Sequence, residues 1–408
     1  MNLAMSSRQI GMAPGLLVVV FCFGLALFGC LPITSDSLGP DIAPPPPDVP
    51  AASVPAPPPS PTVAGPRTRS FYMGFTLWPA DLSEEGFRTA QEFAYAHGDI
   101  VAVGLISGIP WSEALDGKPF SKNVQDSLSY RPPAGKKLFL SISPLDKDRR
   151  VLAPYWGDKE NLPLPKPWDK EPINSPRVKK AYLNFVLRTI QTMKPDYLAI
   201  GVEANVFLTR EPGKWRQFKE LYRDSYRAVK KAHPTLPVFF TTEVLHYKRL
   251  TKEAKGTDQE REVADLMKQS DLFAMSVYPH MSTELPRPIP ANFFDFATRF
   301  KKPVAVAESG MTSRNVIMRS YGLVLQGSDA DQEQFTELLL KTAVRDQYEF
   351  VINSATTDFE RLVLKLRPPQ ADIARIWAFT GMQTEDKKPK PAQAYWDAYL
   401  RAKVARIW

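Results

Sequence analysis

Cysteine is almost missing from this chain. Cys22 and Cys30 are the two present in 408 residues, and both fall in the first 30. That excludes a disulfide scaffold and a Cys-rich zinc or iron–sulfur protein. Histidine is nearly as scarce: His97, His233, His246 and His280 show no HxxH or HExxH spacing, so no metal and no cofactor is expected. No GxSxG elbow is present, which argues against a Ser–His hydrolase. No glycine-rich loop follows the first strand candidate, which argues against a doubly wound nucleotide-binding sheet. The apolar run 15–29 is shorter than the ~20 residues that cross a bilayer. Against these absences stand 44% hydrophobic and 24% charged residues, the balance of a globular protein. The formal net charge of +8 is scattered, no basic block reaches five residues, and no nucleic-acid partner is expected.

The N-terminal run is preceded by Arg8 and ends in Leu27-Phe28-Gly29-Cys30. It has the length of a signal-peptide apolar region. The ending resembles a bacterial lipoprotein lipobox. That resemblance implies a signal peptide over 1–29, lipid attachment at Cys30 and an exported, membrane-anchored protein of the cell envelope. A plain signal peptide or an uncleaved anchor remains open. Residues 31–70 hold 13 of the 39 prolines, including Pro44 to Pro47 and Pro57 to Pro59. Such a stretch is extended polyproline II, so residues 30–70 are expected to be a tether. Residues 71–408 remain as one domain.

From Tyr72 onward β-rich runs alternate with helical stretches. The strand candidates are Tyr72–Leu77, Ile100–Ile106, Lys137–Ser143, Tyr197–Glu203, Pro237–Glu243, Leu272–Tyr278, Pro303–Glu308 and Tyr348–Ser354. A helix is predicted over Ser175–Met193, with Ser175 as N-cap, Pro176 in the first turn and a stop before Pro195. Others are predicted over 214–232 and after Ser328. Eight such repeats in roughly 300 residues are the count and length of a (β/α)8 TIM barrel. In strand four the alternation puts Leu198, Ile200 and Val202 toward the helices, and Ala199, Gly201 and Glu203 inward. The same parity aims Ser276, Tyr278, Thr241 and Glu243 inward. Both faces of 304–307 are apolar, so parity does not aim Glu308.

Three strands end in a carboxylate: Glu203, Glu243 and Glu308. Burying a carboxylate without partners is expensive, so an apolar strand running into Glu needs a reason. Either each Glu bonds a loop or Arg at the rim, or a pair of them does chemistry. Glycoside hydrolysis needs such a pair, one to protonate the leaving oxygen and one to attack the anomeric carbon.

The stretches Ile200-Gly-Val-Glu-Ala-Asn205, Ser276-Val-Tyr-Pro-His280 and Val306-Ala-Glu-Ser-Gly310 resemble the retaining (β/α)8 glycoside hydrolases, with family 53 and family 5 nearest in flavour. The late stretch Phe379-Thr-Gly-Met, Lys388 to Ala392 and Trp396 also looks like the end of such barrels. The resemblance implies Glu203 as acid/base, Glu308 as nucleophile and Tyr278 as a hydrogen-bond partner of Glu308. Val202 stands where that clan usually has Asn, with Asn205 nearby. The end of strand two has no Arg, and strand eight no Trp. Trp78, Trp111, Trp156 and Trp168 follow strands one to three, and would rise from the C-terminal face as stacking surfaces for sugar rings. The 31 residues 144–174 form a connection long enough to be functional. His280 could line the cleft or serve a loop, and Glu243 could replace one of the pair. The expected function is hydrolysis of a β-linked poly- or oligosaccharide. The rival is a catalytically inactive glycan-binding barrel tethered to the membrane.

Overall fold

The computed structural model describes residues 63–405. The expected signal peptide, Cys30 and most of the expected tether lie outside the described residues. Eight parallel strands form the core: β1 Tyr72–Thr76, β2 Ile100–Leu105, β3 Lys137–Ile142, β4 Tyr197–Ala199, β5 Val238–Phe239 with Thr241–Glu243, β6 Phe273–Val277, β7 Val304–Ser309 and β8 Phe350–Asn353. Each pairs with its successor, and β8 pairs with β1 in the register Phe350↔Tyr72. Phe240 interrupts β5. Its first half pairs with β4 and its second with β6, so the sheet closes through one broken strand. This is the (β/α)8 barrel expected from the sequence.

Side chains divide into two apolar layers, as the period of two along a strand requires. Inside the barrel lie Tyr197, Ala199, Phe139, Phe239 and Phe350 with the small Ala102, Ala274, Ala305 and Ala307. The rings of Phe139 and Phe350 are 5.0 Å apart and those of Tyr197 and Phe350 4.9 Å apart, which fills the barrel floor. The alanines leave room above them, toward the C-terminal ends of the strands. Leu198, Ile200 and Phe240 face the helices instead.

The helix Pro176–Met193 forms as the sequence predicted. Ser175 Oγ accepts from the Val178 N–H, and Pro176 occupies the first turn. Val178, Tyr182, Phe185, Val186, Ile190 and Met193 fall on its buried face at helical spacing. Lys194, left-handed at φ 51°, ends it before Pro195. Tyr182 lies 2.9 Å from the Ile200 carbonyl, where regular pairing of β4 has already stopped. At the opposite end of the barrel, Thr68–Arg69 pairs with Lys403–Val404. Arg69, assigned to the tether from the sequence, is buried and ion-paired with Asp99 at 2.5 Å.

Candidate active site

The C-terminal end of β4 does not follow simple alternation. A Cβ built at Gly201 would meet Phe218, Tyr222 and Phe240, so Gly201 faces the helices with Ile200 rather than the interior. Val202, expected to face the helices, lines the cleft instead. The cause is a twist over 200–203. The backbone bonds Ile200 N to Phe239 O and Thr241 N to Gly201 O continue, but Glu203 takes a left-handed conformation at φ 48°. That conformation costs a non-glycine residue of order 1 kcal/mol or more. Three hydrogen bonds hold it. The Glu203 N–H donates to Thr241 Oγ1 at 2.7 Å, Ser276 Oγ donates to Glu203 Oε1 at 2.6 Å, and Arg149 Nη2 donates to Glu203 Oε2 at 3.0 Å. Glu203 therefore lies at the mouth, buried and ion-paired.

Glu308 reaches the same place by a different device. Met275 pairs with Val306 but Ser276 pairs with Glu308, so Ala307 is an extra residue bulged out of β7. A bulge re-aims the side chain that follows it. Ala305 and Ala307 face inward, and the bulge lets Glu308 face the cleft beside Ala307. Tyr278 Oη donates to Glu308 Oε2 at 3.1 Å, and Ser354 Oγ, 2.5 Å from Tyr278 Oη, is left to donate to it. Burial holds the Tyr278 hydroxyl well above its ordinary range, aided by the charge of Glu308, so it stays a donor. Trp377 packs edge-on to Tyr278 at 6.2 Å.

Ser276 links the two carboxyl groups. It stands opposite Glu308 on the neighbouring strand and bonds Glu203. Burial pushes the Glu308 carboxyl up to about 8. The charge of Glu203 pushes the same way, and Arg149 and Tyr278 oppose it. The Glu308 carboxyl therefore keeps its proton near neutrality. Glu308 lines an open depression together with Trp78, Ser141, Lys147, Arg149 and Val202, and Glu203 adjoins it through its bond to Arg149.

Arg149 is the site residue that sequence reasoning missed. It comes from the long connection after β3, whose length was the signal. Asp146 builds the turn that presents it: Oδ1 accepts from the Arg150 and Val151 N–H groups, and the Asp146 carbonyl from the Arg149 N–H. Arg149 itself is left-handed at φ 53°, and its Nε donates to the Val202 carbonyl at 3.0 Å.

Other expected site residues lie elsewhere. Trp111, Trp156 and Trp168 are buried in the outer core and are not a sugar platform. Trp111 Nε1 donates to the Ala153 carbonyl and Trp168 Nε1 to Ser112 Oγ, each at 2.9 Å. They wedge the loops onto the helices. Trp78 alone of the four lines the depression, with Phe359 against it at 5.2 Å. Asn205 does not face the cleft; its amide bonds the Glu243 N–H and C=O at 2.8 and 2.9 Å. Glu243 turns away from the pair, capping the helix Val244–Tyr247 and holding His246 Nδ1 at 2.6 Å. His280 serves a loop, with Nε2 3.0 Å from the Ile376 carbonyl, and burial pushes it down to about 4. Among the described residues no group of three or more His, Cys, Asp or Glu could hold a metal ion.

A barrel with two buried carboxyls converging at its C-terminal mouth belongs to the architecture of glycoside hydrolases. Comparison with known proteins agrees. A model of glycosyl hydrolase family 53 matches residues 153–354, a span that includes Glu203, Tyr278 and Glu308. The resemblance drawn from the sequence is thereby borne out, and the chain is an enzyme of the glycoside hydrolase class. No curated protein matches it. Among solved structures it is similar to GH5_18 from Streptomyces cattleya in complex with Manβ1-4GlcNAc. There the TM-score is 0.54 at 13% identity, over 81% of this chain and 80% of that one. It is also similar to the exo-β-1,4-mannosidase Op5Man5 from Opitutaceae bacterium strain TAV5, with TM-score 0.52 at 13% identity, over 85% and 62%. At such identities the likeness is one of fold.

Proposed function

We propose that the protein hydrolyses a β-linked poly- or oligosaccharide with retention of configuration, Glu203 serving as acid/base and Glu308 as nucleophile. One observation supports the reading: Ser276 stands opposite Glu308 while hydrogen-bonding Glu203, so a single residue neighbours both carboxyls at the rim. A retaining pair needs a carboxyl separation of about 5–5.5 Å. Glu308 attacks the anomeric carbon as Glu203 protonates the departing oxygen. Water then cleaves the glycosyl ester, with Glu203 taking its proton. Burial and the charge of Glu203 leave Glu308 protonated near neutrality in the empty site. That proton has to leave before Glu308 can attack. The hydrogen bond from Tyr278 favours the Glu308 carboxylate once the proton has left.

Family 53 and the β-1,4-linked substrates in the names of the similar structures make β-1,4-linked glycans the first to try. The protein would meet them in the cell envelope, anchored through Cys30. The mature domain is expected to cleave at least one member of a β-glycan panel, and Glu203→Gln and Glu308→Gln to lose at least about 100-fold in kcat while still folding. Binding without hydrolysis by the wild type would instead support a tethered glycan-binding barrel.

A further inference from the structure

Beside the mouth lies a buried charged network that the hydrolytic steps do not use. His246 stands between two carboxylates, Nδ1 at 2.6 Å from Glu243 Oε2 and Nε2 at 2.9 Å from Glu253 Oε1. Glu253 is also held by Arg210, Nη2 to Oε1 at 2.9 Å and Nε to Oε2 at 3.3 Å. The remaining arm of Arg210 leaves the network: Nη1 donates to the Asp148 carbonyl at 2.7 Å. Asp148 is the residue before Arg149.

The helix Ala204–Arg210 explains why that contact matters. Glu203 is its N-cap and Arg210 its last residue. Seven residues of helix are about 10 Å long. One rigid strut therefore grips the Arg149 turn twice, by the Glu203 carboxylate on the guanidinium and by Arg210 on the Asp148 carbonyl. The strut is fixed in turn to β5, through Asn205 to the Glu243 backbone and through Arg210 and Glu253 to His246. The turn is closed at its base by buried Leu145 and Leu152, but its tip is exposed, with Val151 half in solvent.

We propose that Arg210, backed by Glu253 and His246, is a positioning residue that keeps Arg149 on Glu203 and so holds one member of the catalytic pair in place; this rests on the reading of Glu203 and Glu308 as that pair. Arg210 touches no reacting atom and works through Arg149.

A double-mutant cycle with a structure tests it. Arg210→Met is expected to lower kcat by about tenfold or more, with KM changed less than about threefold, the size typical of losing a residue that orients a catalytic group. In an Arg149→Met background the same substitution should cost less than about twofold, because coupled residues are not additive. Arg210→Lys should fall between, since one ammonium cannot hold both Glu253 and Asp148, and it serves if Arg210→Met folds poorly. A crystal structure of either Arg210 variant should show Arg149 moved off Glu203. Equal losses in both backgrounds, or Arg149 still about 3.0 Å from Glu203 in the variant crystal, would overturn the proposal. If the wild type cleaves no glycoside, the hydrolase reading fails, and the crystal arm still decides the role of Arg210.

Discussion

Glu308 is the residue whose surroundings do most to set the chemistry. Burial and the charge of Glu203 raise its carboxyl to about 8, far from its value of 4.5 in an unfolded chain. A carboxyl raised on folding binds its proton more tightly in the native state, so its contribution is fully present below about pH 4.5 and is lost as pH rises through about 8. Glu308→Gln removes that penalty. Its melting temperature should equal that of wild type near pH 4.5 and exceed it by a widening margin up to pH 8–9. A margin that stays constant with pH would show that Glu308 is not held protonated. The sequence placed Glu203, Ser276, Tyr278 and Glu308 at strand ends, and all four converge. It left Arg149 hidden, because an arginine near the start of a 31-residue connection carries no periodic signal. What aims Arg149 is a turn held by Asp146 and a contact with a helix 54 positions further on.

At the scale of elements, strands and helices were legible and the strand ends were not. Seven of the eight strand candidates match observed strands to within one or two residues at each end, apart from the break at Phe240. β4, expected to run to Glu203, keeps regular pairing only to Ala199. Strict alternation then mislaid Gly201 and Val202, and it could not aim Glu308 because a bulge at Ala307 depends on the pairing with β6. The tryptophans failed for a related reason. Position after a strand puts a ring at the C-terminal end, but whether it faces sugar or protein is decided by non-local partners such as Phe185 beside Trp156. Trp111→Ala and Trp156→Ala should therefore each cost about 3–5 kcal/mol in denaturant unfolding, with kcat per folded molecule unchanged. Trp78→Ala should instead raise KM for the glycan. A KM effect at Trp111 or Trp156 with unaltered stability would restore them to the cleft.

At the scale of the whole molecule, one barrel explains the composition. The low cysteine count is suited to a domain stabilised by two concentric apolar layers, with no thiol from Phe71 onward. The inner layer closes the floor with aromatic rings. The alanines above open the mouth, and three separate strands with one loop bring Glu203, Ser276, Glu308 and Arg149 to it. That convergence is useful for double displacement and would be costly in a protein that only binds. The stereochemistry of the first product measures it directly. Proton NMR of a β-glycan digest, recorded before mutarotation, should show the β-anomer of the new reducing end appearing first. First appearance of the α-anomer would contradict a double displacement at Glu203 and Glu308.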